Sequence, residues 1–102
     1  MSLKKGSILY VRIDNKIAGK DMSCEDFSEH LAYVKNIASE RYLMGGGFGD
    51  VDGGMLLFEA RNFEEAEKIA CKDPIIVRGI YRYELYEWNL VVLSEDIDSY
   101  VG

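Results

Sequence analysis

Arg41-Tyr42-Leu43-Met44-Gly45-Gly46-Gly47-Phe48 and, a short turn later, Met55-Leu56-Leu57-Phe58 decide how this chain folds. The first stretch reads as a short strand with glycines inside it. Three glycines at 45–47 are poor strand material on their own and imply close approach by another backbone or a ligand. Residues 50–54 form the turn. The second stretch is a continuous apolar run, the pattern of a strand buried on both faces. What lies on either side of these two consecutive strands sets the topology.

Upstream, residues 23–40 carry a helix signal. Ser23 is a good N-cap with Asp26 three positions on, a capping box, and Met22 and Phe27 fit a hydrophobic staple. Phe27, His30, Leu31, Val34, Ile37 and Ala38 then recur at helical spacing as one apolar stripe. Before a polar loop at 15–21, residues 7–14 alternate: Leu9, Val11 and Ile13 on one face, Ile8, Tyr10, Arg12 and Asp14 on the other. This is a strand, and its aliphatic set reads as the helix-facing side.

Downstream, a second helix opens at Asn62 with Glu65 as capping-box partner and turns Phe63, Ala66, Ile69 and Ala70 inward. Asp73-Pro74 ends it, because a residue before proline avoids the α region. Residues 75–79 read as a short irregular or one-turn segment, 81–93 as a long aromatic-rich strand and 94–102 as an acidic tail. The order βαββαβ predicts an α+β, ferredoxin-like domain: a four-stranded antiparallel sheet with two helices on one face. Right-handed crossovers place the first and third strands in its centre.

The chain of 102 residues reads as a single domain with its core at about 6–92. It is 48% apolar, too apolar for a disordered segment. With 12 Lys and Arg against 18 Asp and Glu, and no basic run longer than Lys4-Lys5, it lacks the clustered cations that nucleic acid or an anionic membrane demands. No stretch approaches the ~20 apolar residues of a transmembrane helix, and no apolar segment follows the first lysines as in a signal peptide. A cytoplasmic location is the expectation. Cys24 and Cys71, 47 positions apart, suit neither a disulfide framework nor a metal site; both are expected as buried, inert thiols on helices. With one histidine and no Cys-x-x-Cys, no metal centre and no cofactor are expected.

One sheet face of such a fold is bare. Apolar side chains of the first, third and fourth strands, Tyr86 and Trp88 among them, exceed what the helices can cover, and an exposed patch of that size is unusual on a monomer. The expectation is a homodimer packed sheet against sheet, with higher assembly left open. For chemistry, His30 is the side chain able to exchange a proton near neutral pH without a large shift. Asp73, at a helix C-terminus where an acid opposes the macrodipole, calls for a donor such as an imidazole N–H. The two together make a His–Asp dyad, with no serine or thiol nucleophile evident. The glycines at 45–47 can offer backbone N–H groups to a ligand, and Arg12 can hold a carboxylate or an interface ion pair.

Tyr10-Val11, Glu29-His30-Leu31, the run from Arg41 to Gly47, Phe63-Glu64-Glu65-Ala66 and Asp73-Pro74 with Gly79 after it resemble the YciI-related family of the dimeric α+β barrel superfamily, over about residues 6–92. The resemblance implies a ferredoxin-like subunit, a face-to-face dimer and a pocket between sheet and helices. It places the family's proposed active-site pair on His30 and Asp73. Members with an assigned reaction are similar to lactone isomerases and dehydrohalogenases acting on products of aromatic ring cleavage. Where the family often has Gly-Pro, this chain has Gly46-Gly47, which frees that loop.

The functional expectation is a small cofactor-free enzyme. His30 and Asp73 would drive acid–base isomerisation or elimination of a small carboxylate-bearing metabolite, with Gly46, Gly47, Tyr10 and Arg12 at the substrate. The alternative is a non-catalytic module that binds a small molecule or only forms an oligomer.

Overall fold

The computed structural model describes residues 8–94. The acidic tail from residue 95 onward lies outside them. Strand β1 (Ile8–Lys16) leads through a loop to helix α1 (Cys24–Ala38). Strands β2 (Leu43–Gly47) and β3 (Gly54–Phe58) follow, then helix α2 (Phe63–Cys71), the one-turn helix α3 (Pro74–Val77) and strand β4 (Tyr81–Asn89). The sheet runs β2-β3-β1-β4, every neighbouring pair antiparallel, so β1 and β3 are central as the crossover rule requires.

Local chemistry sets the element ends. Ser23 Oγ accepts from the Asp26 N–H and Asp26 Oδ2 from the Ser23 N–H, both at 3.0 Å, closing the capping box of α1. At α2, Asn62 Oδ1 accepts from the Glu65 N–H at 2.9 Å, but Glu65 does not return the bond to Asn62. Its carboxylate takes the Arg61 N–H instead, together with the side chains of Arg61 and Arg41, and these donors hold its carboxyl down to about 2. Of the two forms expected for residues 75–79, irregular or one-turn, the structure has the single helical turn α3, beginning at Pro74.

The two sheet faces are assigned oppositely to the expectation. Tyr10, Leu56, Phe58 and Ala66 form the core beneath the helices, with Val34, Leu43, Ala60, Ile69 and Leu85 packed against them. Tyr10, Arg12 and Asp14 therefore point to the helix side. Val11 and Ile13 point to the bare side, where with Met55, Leu57, Tyr86 and Trp88 they surround a shallow apolar hollow of about 370 Å³. β3 is accordingly covered on one face only: Leu56 and Phe58 are buried while Met55 is exposed. Alternation identified two faces correctly, but hydrophobicity pointed to the wrong one, because the covered face carries charged groups that are paired with one another. Both cysteines are exposed, at the ends of their helices, instead of buried.

Candidate active site

Asp73 is the centre of a buried ionic chain. It sits two residues beyond the end of α2 with extended backbone and caps α3, its Oδ1 accepting from the Ile75 N–H at 3.2 Å. The acid expected to oppose one helix dipole instead favours the next. Its Oδ2 accepts from Arg12 Nη2 at 3.0 Å and meets His30 Nδ1, on α1, at 2.7 Å. Arg12, fully buried on β1, also donates from Nη2 to Asp14 Oδ2 at 2.8 Å and from Nη1 to the Ala70 carbonyl at 3.2 Å. Three segments distant in sequence thus converge on one carboxylate.

The electrostatics follow from burial. Desolvation works to raise the Asp73 carboxyl, but the hydrogen bond from His30 and the charge of Arg12 outweigh it and hold the group below the usual carboxylate range. Asp14 goes the other way: burial pushes it up beyond what Arg12 recovers, and the Asp73 charge adds to the rise. Buried charges of this kind persist only when paired, and removing one partner strands the other.

A cleft of about 190 Å³ opens beside this chain, between α1 and the glycine-rich ends of β2 and β3. His30, Leu31 and Val34 line it from the helix. Gly45, Gly46 and Gly47 line it from β2, joined by Gly53 and Gly54, with Asp14, Met22, Phe27, Ile75 and Tyr81 completing it. The His30 side chain is 14% exposed. With Nδ1 held by an ionised carboxylate, Nε2 is the ring nitrogen left for the cleft. The bare backbone has a packing reason too. A Cβ on Gly45 would lie 2.3 Å from Leu56 Cδ2, and one on Gly54 2.6 Å from the Gly46 carbonyl oxygen.

The expected site residues thus fall into two groups. His30 and Asp73 meet, and Gly46 and Gly47 line the same cleft. Tyr10 and Arg12, expected at the substrate, do not line it. Tyr10 is a core residue, its ring edge-on to Phe63 and tilted against Phe58. Arg12 has every donor group turned to Asp73, Asp14 and Ala70, so it supports the site from beneath. The expected substrate carboxylate therefore meets no lysine or arginine side chain along the cleft among the described residues. Asp14 is the charged lining residue that sequence reasoning missed, and Met22, Phe27, Leu31, Val34 and Ile75 are apolar ones. The signal for Asp14 was its place two residues from Arg12 on one face of a strand, a pairing that makes sense only if that face is covered.

Fold and site together define a small ferredoxin-like α+β domain with a cleft between its sheet and first helix and a buried His–Asp–Arg–Asp chain beside it. A model of the YCII-related domain matches residues 8–89, and the chain belongs to that family. It is 33% identical over 67 residues to the uncharacterized protein YjpA of Bacillus subtilis (strain 168), a match covering 65% of this chain and 79% of YjpA. Among solved structures it is similar to 5-chloro-2-hydroxyhydroquinone dehydrochlorinase (TftG) of Burkholderia phenoliruptrix AC1100, in complex with 2,5-dihydroxybenzoquinone. That match has a TM-score of 0.66 and 22% identity and covers 79% of this chain and 93% of the other.

Proposed function

We propose that this protein is a cofactor-free enzyme that moves protons on a small organic molecule, by isomerisation or elimination, with His30 as the acid–base group and Asp73 as the residue that orients it. The observation that carries the reading is the 2.7 Å contact between His30 Nδ1 and Asp73 Oδ2 at the edge of a cleft that His30 itself lines. An ionised Asp73 holds the proton on Nδ1 and leaves Nε2 free to accept one. In an elimination, Nε2 takes the substrate proton, the electrons of the broken bond form the new double bond, and the leaving anion departs. In an isomerisation the imidazolium returns the proton to a different atom. Neither reaction needs more than proton movement. The similarity of fold to TftG, whose name specifies a dehydrochlorination, is compatible with the elimination.

Turnover of 5-chloro-2-hydroxyhydroquinone and of small enol lactones, followed by chloride release and by ultraviolet absorbance, provides the assay. Positioned acid–base catalysis contributes ~10²–10⁴-fold, so His30→Ala is expected to lower kcat by about that factor on any compound the wild-type protein converts. An undiminished rate in the variant ends the reading.

The bare sheet face belongs to the same proposal. Its occupant is a second copy of this chain. Tyr86 and Trp88 stand 49% and 44% exposed above the apolar hollow, and a two-fold pairing covers the same patch on both subunits at once.

A further inference from the structure

We infer that Asp14 is a positioning residue: it strengthens the hold of His30 on its proton through Arg12 and Asp73, without touching the ligand. The inference deepens the proposed function by naming what sets the strength of its base, and it rests on that reading only for the catalytic use of His30.

Asp14 is buried and its carboxylate faces Arg12. Arg12 Nη2 donates to Asp14 Oδ2 at 2.8 Å and Arg12 Nε lies 2.7 Å from Oδ1, so one edge of the guanidinium meets both oxygens. The same Nη2 donates to Asp73 Oδ2 at 3.0 Å, and that oxygen is the one His30 Nδ1 meets at 2.7 Å. One nitrogen is thus divided between two carboxylates, and one carboxylate oxygen between a guanidinium and an imidazole. Charge counting follows. Arg12 brings one positive charge against two carboxylates, and among the described residues no other cation but His30 pairs with either. Buried ions persist when balanced, and a proton on His30 supplies the missing charge. Asp14 creates that deficit. Were it neutral, Arg12 would offset Asp73 alone and an imidazolium would gain less from the pair. The electrostatics agree: a protonated His30 draws the Asp14 carboxyl down while the Asp73 charge pushes it up, and coupling between two sites is reciprocal. Other groups around the ring do not fill this role. Asp26 and Glu29, on the same helix, both accept from Arg78 at the end of α3. Tyr81, which also lines the cleft, is held neutral by burial that raises its phenol. Strands β2 and β3 bring only glycines to the cleft.

The chain has one histidine, so its ring resonances can be followed by NMR against pH without ambiguity. In Asp14→Asn the His30 midpoint is expected to fall, with proton binding weakened about tenfold, the size of effect a nearby charge exerts. The ¹⁵N shifts of the neutral ring should still place the proton on Nδ1, because the contact with Asp73 remains. A purely structural role for Asp14 would disturb that form instead. By reciprocity, His30→Ala should raise the Asp14 midpoint, read from the ¹³C shift of its carboxyl group. Where a compound is turned over, the rising limb of kcat against pH should move to lower pH in Asp14→Asn, since His30 accepts a proton only when neutral. An unchanged or raised His30 midpoint in a folded Asp14→Asn protein, the result if Asp14 is already neutral in the wild type, overturns the inference. So does a fall that comes with loss of the Nδ1 form. Should that variant fail to fold, the Asp14 midpoint in His30→Ala decides alone, and one that does not rise overturns the inference. The titrations involve no turnover. Coupled titrations with an unaffected His30→Ala rate remove the catalytic reading alone, and uncoupled ones with a His30-dependent rate remove this inference alone.

Discussion

Asp73 ties three parts of the fold together beside the cleft. It caps α3, pairs with Arg12 and holds His30. Because its carboxyl is held below the ordinary value, the folded state favours the ionised form. The stability this contributes is present above the unfolded-state value near 3.9 and is lost as pH falls below it. Asp14, raised by burial, tilts stability in the opposite sense, regaining some on acidification. Asp73→Asn takes from the buried Arg12 one of its two carboxylate partners and from His30 its ionic partner, and is expected to cost about 2 kcal/mol at pH 7. The gap between variant and wild type should narrow as pH falls from about 4 to 3, because the wild-type advantage is ionic. Urea unfolding of both proteins at pH 7 and pH 3 measures it, and a gap that stays constant or widens contradicts this account.

At the scale of the element, the hairpin between β2 and β3 shapes the cleft through its glycines. Gly53 has φ +112°, and a Cβ there would lie 2.4 Å from the Asp14 carbonyl oxygen on the neighbouring strand. Gly19, in the loop after β1, has φ +80° with nothing near its missing Cβ. The pair separates conformational preference from steric collision. Gly19→Ala is expected to cost about 1 kcal/mol. Gly53→Ala should cost about 2–3 kcal/mol or more, because the backbone at Asp14 must also shift. Thermal unfolding of the two variants tests the difference; equal losses would mean the hairpin yields freely. The hairpin was legible in sequence as two strands with glycines between the helices. The reason for each glycine was not, since it depends on which backbone lies across the sheet. The same holds at Asp73, whose role as cap of α3 depends on a helix too short to leave a periodic pattern.

The whole molecule offers one face to solvent that its own helices do not cover. Val11, Ile13, Met55 and Leu57 stand there with Tyr86 and Trp88, and our reading assigns the face to a second subunit. Sedimentation equilibrium should give twice the monomer mass for the wild type. Leu57→Lys, which places a charge in the middle of the patch, should shift the protein to the monomer without unfolding it, since in the single subunit that side chain is only partly covered. A wild-type protein that sediments as a monomer removes the proposal. Among the described residues, no helix is long and apolar enough to cross a membrane.

Helix spacing, strand alternation, capping residues and the proline stop are local properties. They sufficed for the βαββαβ order, the central position of β1 and β3 and the two residues that meet as His30 and Asp73. Which face of β1 lies under the helices was not local. Hydrophobicity favoured the side of Leu9, Val11 and Ile13, of which only Leu9 is fully buried, whereas Tyr10, Arg12 and Asp14 are all buried under the helices. A buried charge is tolerable only beside its partner, and the partners of Arg12 are two residues away on the same strand and 61 residues away in the loop before α3. Only the folded chain brings Asp73 there, so only the tertiary structure could turn an apparently exposed polar edge into the inner side of the sheet and place Asp14 in the cleft.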